Sequence, residues 1–243
     1  RRKLTTDGEG SLPIWSPDGT QVAFRSRRTG RALTYIKPVD GSLPAKALPE
    51  DVGLGGPYVW TTDDKLFVSG DGEIRVVDLA DYSARPIAAS AAQEWGPHLS
   101  PDEKWVAYTS DESGRYEIYV KPYPALSGAW VVSTEGGEEP VWSRDGRSLF
   151  YRNGDTWLEV PVSYEPEFSV GQPRVAIEGP YINVPGRSYD VSPDGKRFLV
   201  ILDEGNGARQ ILEDDSAPVR SRYSPKFFEH DATAISSGTC SAR

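Results

Sequence analysis

The chain has 243 residues, 37% of them hydrophobic, with 24 glycines, 20 prolines and a formal net charge of −9 at pH 7. This length and turn-rich composition suit one large all-β unit, and no apolar run approaches the roughly 18 residues of a membrane-spanning helix. The acidic balance speaks against nucleic acid and membrane insertion, and the single cysteine, Cys240, leaves no internal disulfide to form.

In chain order, KLTTDGEG (Lys3 to Gly10) reads as a short strand running into a turn. A more explicit unit follows at Pro13 to Phe24, PIWSPDGTQVAF. Its Ser-Pro-Asp-Gly core suits a tight connection: proline presets φ, the aspartate bonds nearby backbone, and glycine tolerates positive φ. Beyond the turn, Val22 and Phe24 alternate as one face of a strand, and LTYIKP and AKALPE supply a third and a fourth. The unit recurs, decayed, as YVWTTDDKLFV from Tyr58. It returns as PHLSPDEKWVAY from Pro97, PVWSRDGRSLFY from Pro140 and YDVSPDGKRFLV from Tyr189. The turn aspartates Asp18, Asp63, Asp102, Asp145 and Asp194 are 45, 39, 43 and 49 residues apart. Four strands repeated at this period predict propeller blades, because a lone meander leaves apolar faces bare and radial packing covers them.

The expected architecture is therefore an all-β propeller of four-stranded antiparallel blades over residues 1–215. The blades fall at about 11–51, 57–90, 96–135, 139–178 and 187–215. KLTTDGEG matches VVSTEGGEE at Val131 to Glu139, with Leu4 on Val132. The chain thus starts on a fourth strand and ends one strand short. Pairing residues 2–6 with the last meander would close a five-bladed ring and remove its free edges; a six-bladed ring that has lost a blade is the alternative. Residues 216–243 carry no repeat and form a tail. A chain that starts at Arg1 and holds no methionine reads as a processed or excised piece.

The SPDG turns, SDESGRYEIYVKPYP at 110–124 and YDVSPDGKRFLV resemble the TolB-like propeller repeats of bacterial proteins. More narrowly, they are similar to propellers that follow the kinase domain in some bacterial serine/threonine kinases. The resemblance spans residues 3–215 and implies a sensor or interaction role in the periplasm or outside the cell. No kinase motif is present: there is no Gly-rich phosphate loop with its lysine and no HRD or DFG run.

In a propeller, function lives in loops carried by rigid strands. The loops leading into the innermost strands are DGEGSLP, GLGGPY, QEWGP, EGGEEP and NVPGRSY. Their convergence predicts an acidic, aromatic-walled funnel built from Glu9, Glu94, Glu138 and Glu139 with Tyr58, Trp95, Tyr189 and Arg187 as ligand contacts. On the innermost strands Ile14, Val59, His98, Val141 and Asp190 are equivalent, so two ionisable groups occupy an otherwise apolar column. Such groups need a hydrogen bond, water or a ligand. The turn aspartates recur once per blade and read as structural; Trp15, Trp60 and Trp142 share one column and read as packing between blades. The basic run at 25–28 reads as a solvated loop.

Two functions follow. One is a non-catalytic, monomeric binding propeller that recognises a protein, peptide or small ligand on its acidic axial face. The other is a hydrolase of esters or lactones around His98 and Asp190, as catalytic candidates. No GxSxG elbow and no HExxH occur, and two histidines, His98 and His230, cannot make a multi-histidine zinc site. Calcium prefers the oxygen ligands that the carboxylates offer, but no EF-hand-like spacing supports it, and no cofactor is expected. A structural fragment without activity is a third reading.

Overall fold

The structure, a computed structural model, describes residues 4–5, 10–88, 91–184, 186–203 and 209–214, with side chains through residue 201. Five antiparallel sheets follow one another along the chain. The first holds β1 (Gly10–Trp15), β2 (Gln21–Ser26), β3 (Leu33–Pro38) and β4 (Lys46–Ala47), and a single helical turn, α1 (Glu50–Gly53), leads out of it. The second holds β5 (Gly56–Trp60), β6 (Lys65–Gly70), β7 (Glu73–Asp78) and β8 (Ala84–Pro86). The third holds β9 (Glu94–Leu99), β10 (Trp105–Ser110), β11 (Glu117–Pro122) and β12 (Trp130–Val131). In the fourth, β13 (Glu138–Trp142), β14 (Ser148–Asn153) and β15 (Thr156–Ser163) are flanked by β16 (Ser169–Val170) and β17 (Arg174–Glu178). Both of these pair with β15. The last described sheet has three strands, β18 (Tyr189–Val191), β19 (Phe198–Asp203) and β20 (Arg209–Asp214). These sheets are the blades of a β-propeller.

The repeated turn has a common hydrogen-bond core. Ser16 Oγ donates to Asp18 Oδ1 at 2.6 Å and accepts the Gln21 N–H at 2.9 Å, so one hydroxyl closes the turn and starts the next strand. Ser100, Ser143 and Ser192 repeat both contacts, and Thr61 does so in the decayed copy. A second regularity lies in the innermost strands. The ladder slips by a bulge before Ile14, Val59, His98 and Val141, and at three of these bulges the backbone is left-handed: Leu12 (φ 53), Gly96 (φ 65) and Glu139 (φ 55). Such bulges re-aim the side chains beside them.

Four of the five core clusters form between neighbouring blades. Ala23 of the first sheet packs with Trp60, Leu66 and Val68 of the second; Phe67 and Val76 pack with Val106 and Tyr108 of the third. Ile118 and Val120 then meet Trp142 and Leu149, and Phe150 and Trp157 meet Tyr189 and Phe198. The three central blades thus bury one face against the blade before and one against the blade after. The tryptophan column shows where this stops. Trp60 and Trp142 are buried, but Trp15 is 52% exposed, which corrects the expectation that all three pack between blades. Trp15 lies opposite Val22, on the face of the first blade turned away from the second. Among the described residues, Leu4 and Leu54 pack from outside residues 11–51 against Val22, Phe24, Leu33 and Tyr35 there. Leu199 is 47% exposed, whereas its ladder equivalents Ala23, Phe67, Ala107 and Phe150 are buried. The expected pairing of residues 2–6 with the last blade, Glu9 and the 216–243 tail lie outside the described residues, except for Leu4 and Thr5.

Candidate functional site

The loops leading into the innermost strands bring Tyr58, His98, Glu139, Arg187 and Tyr189 within electrostatic reach of one another. Tyr58 senses Glu139 and Arg187, His98 senses Arg187, and Tyr189 senses both Glu139 and Arg187. Hydrogen bonds across blade boundaries hold the group together. His98 Nδ1 accepts the backbone N–H of Trp142 at 2.9 Å, and the Trp142 indole N–H donates to the His98 carbonyl at 3.2 Å. Glu139, buried and left-handed at its bulge, reaches the fifth blade, where one carboxylate oxygen accepts the Ser188 N–H at 3.0 Å and the Ser188 hydroxyl. Tyr189 returns a bond from its hydroxyl to the Glu139 carbonyl at 2.8 Å.

These contacts fix protonation. Burial drives the His98 imidazole well below the usual histidine range, and the positive charge of Arg187 adds to the effect. A neutral imidazole whose Nδ1 accepts a backbone N–H carries its proton on Nε2, so His98 presents a donor. Burial raises the Tyr58 and Tyr189 hydroxyls, keeping both protonated at neutral pH. Burial also raises the Glu139 carboxyl against the pull of the two Ser188 hydrogen bonds and Arg152; its Oε1 has no hydrogen-bond partner among the described residues. The group therefore offers one fixed donor, His98 Nε2–H, and one acceptor left open among the described residues, Glu139 Oε1.

The other expected contacts are placed as follows. Glu94 is buried on β9, with its N–H on the Gly72 carbonyl at 2.8 Å. Trp95 is partly buried and meets Tyr116 edge-on at 6.3 Å between ring centroids. Glu138 is partly buried opposite Arg152 in the ladder, and Arg187 is exposed. Asp190 is exposed and accepts the Val191 N–H at 2.9 Å; no hydrogen bond or ion pair joins it to His98. Among the described residues no three His, Cys, Asp or Glu side chains gather as a metal site.

Beside the mouth, between the first two blades, lies a cleft of about 420 Å³ that the sequence reading missed. Leu12, Arg25, Arg27, Arg31, Tyr58 and Gly186 are among the residues lining it. Its signal was present: Arg25 stands two residues after Ala23 on β2 and so shares the face turned to the second blade.

No family model matches the chain. Solved structures do. TolB from Acinetobacter baumannii matches at a TM-score of 0.65 and 19% identity, over 87% of this chain and 53% of that one. An auxiliary nutrient binding protein from Bacteroides thetaiotaomicron matches at 0.60 and 10%, over 86% and 56%. A luciferin-regenerating enzyme matches at 0.58 and 13%, over 86% and 73%. The chain spans about half the length of the first of these. In its fold, the chain is a β-propeller similar to that of TolB.

Proposed function

We propose that this chain is a non-catalytic, extracytoplasmic binding propeller, monomeric, that recognises a protein, peptide or small ligand at the mouth formed by Tyr58, His98, Glu138, Glu139, Arg187 and Tyr189, with Glu94 and Trp95 on the same strand as His98. One observation carries the reading: the His98 lone pair at Nδ1 is committed to the Trp142 N–H, which leaves His98 a hydrogen-bond donor held by the fold. A donor fixed by bonds between blades needs no reorganisation to meet a ligand, which lowers the cost of binding. The nutrient binding and TolB neighbours agree with a binding role.

A thermal-shift screen with peptides, sugars, esters and lactones tests this. A ligand at about a hundred times its dissociation constant adds roughly 2.7 kcal/mol, a rise of about 5–10 °C for a chain of this size. A shift lost in Trp95→Ala and Arg187→Ala supports the mouth; a shift that survives both places the ligand elsewhere.

The fold shared with the luciferin-regenerating enzyme keeps a hydrolase in view. That reading needs a general base, and neither His98 nitrogen has a lone pair to spare in this tautomer. Turnover of a short ester or lactone that disappears in His98→Gln would establish it against the binding reading.

A further inference from the structure

We propose that the cleft between the first two blades is an oxyanion-binding site, taking a small molecule that bears a carboxylate or phosphate group. Three arginines, Arg25, Arg27 and Arg31, line it in a chain whose net charge is −9, with Asp71 as the one carboxylate of the lining. Such a concentration of positive charge in an acidic protein focuses a local field on anions. The volume, about 420 Å³, lies within the range of small-ligand pockets.

Arg25 carries the argument. In the fourth blade its ladder equivalent is Arg152, two residues after Phe150 as Arg25 is two after Ala23. Arg152 finds two acceptors: its Nε donates to the Gly154 carbonyl at 2.5 Å and one Nη to the Tyr181 carbonyl at 3.0 Å, while its other Nη is buried without a partner among the described residues. Arg25 stands in the same position beside an open cleft. Its Nε–H is buried and has no acceptor among the described residues, and its guanidinium makes no ion pair there. A buried donor on a permanent cation is costly without a partner, and a carboxylate or phosphate offers the matching fork of oxygens.

Glycines beside the cleft let the chain pack closely around Arg25. A Cβ on Gly56 would lie 2.6 Å from Leu12 Cδ1 and 3.3 Å from the Arg25 side chain, so a larger residue would push both aside. Gly55, at φ +108, would place a Cβ 2.1 Å from the Ser69 carbonyl oxygen. Tyr58, kept protonated by burial, adds a neutral donor at the edge. Arg31 is held by Glu50, and both side chains stay more than half exposed, which leaves Arg31 able to turn toward an arriving anion.

This site goes beyond the axial reading; the two share Tyr58 at their edge, but Trp95 and Arg187 do not line the cleft, so variants there tell them apart. The test is calorimetric titration of the full chain at low ionic strength with succinate and, separately, inorganic phosphate. The variants are Arg25→Gln, the exposed double variant Arg27→Gln/Arg31→Gln, and Arg144→Gln as a remote control. Binding of at least one anion is expected, weakened about tenfold or more by Arg25→Gln and by the double variant, unchanged by Arg144→Gln, and lost as salt rises. Succinate alone identifies a carboxylate site, phosphate alone a phosphoryl site. The proposal is overturned if neither anion binds, or if both cleft variants bind as tightly as the parent. Circular dichroism checks that Arg25→Gln is folded, and the double variant decides the matter if it is not. Anion binding that persists in Trp95→Ala while an axial ligand is lost separates the two sites.

Discussion

Asp18, Asp145 and Asp194 each accept a serine hydroxyl and a backbone N–H at a blade turn, and these bonds hold their carboxyls below the ordinary aspartate range. A carboxyl depressed in the folded state stabilises the fold above its unfolded pKa, and that contribution is lost as pH falls through the folded value. Urea unfolding from pH 6 down should therefore show a decline in stability that steepens below about pH 4, the steep part being shallower in the triple Asp→Asn variant. An equal slope in both proteins would mean that the turns do not hold ionised carboxylates. His98 runs in the same direction for a different reason. Its native imidazole stays neutral below 6.5, where the unfolded chain takes up a proton, so its stability is present above pH 6.5 and drains as pH falls toward the native value. The His98→Gln variant should lose the slope that sets in as pH falls below 6.5. His98→Ala should in addition cost about 1–3 kcal/mol, because the Trp142 N–H is left without its acceptor.

At the scale of the strand, an identical residue at an identical ladder position has opposite consequences. Trp142 follows Val141 on β13 and is 4% exposed against the third blade; Trp15 follows Ile14 on β1 and is 52% exposed. Trp142→Ala should lower stability by about 3–5 kcal/mol, a melting-temperature fall on the order of 10 °C. Trp15→Ala should stay within about 0.5 kcal/mol of the parent. A comparable loss in both would mean that a partner sheet covers the first blade in solution. The contrast also marks what a sequence shows. SPDG and its alternating flanks specify a turn between two strands because those preferences are local. Which face of a strand meets a neighbour depends on the blade beyond it.

Across the whole molecule, stability is a chain of nearest-neighbour interfaces. The last described sheet has three strands and bares Leu199, so it should open before the central blades. Hydrogen exchange read by mass spectrometry should find amides of 189–203 less protected than those of 105–122; the reverse order would contradict this ranking. The candidate site divides along the same line. His98 was legible as an ionisable intruder in an apolar column, and Tyr58, Arg187 and Tyr189 as loop residues near an axis. That Glu139 reaches Ser188 in the next blade, that Trp142 occupies the His98 lone pair, and that Arg25 faces a cleft were not legible. Each joins residues of different blades, and in the two hydrogen-bonded cases the partners lie more than forty positions apart. By itself the sequence determined the repeat, its turns, its strand order and the propeller class, because all of these follow from local backbone preference and period. Only the tertiary structure decided which carboxylates are buried, which tautomer His98 holds and where an arginine is left without a partner, because burial and hydrogen bonding are set by contacts between blades.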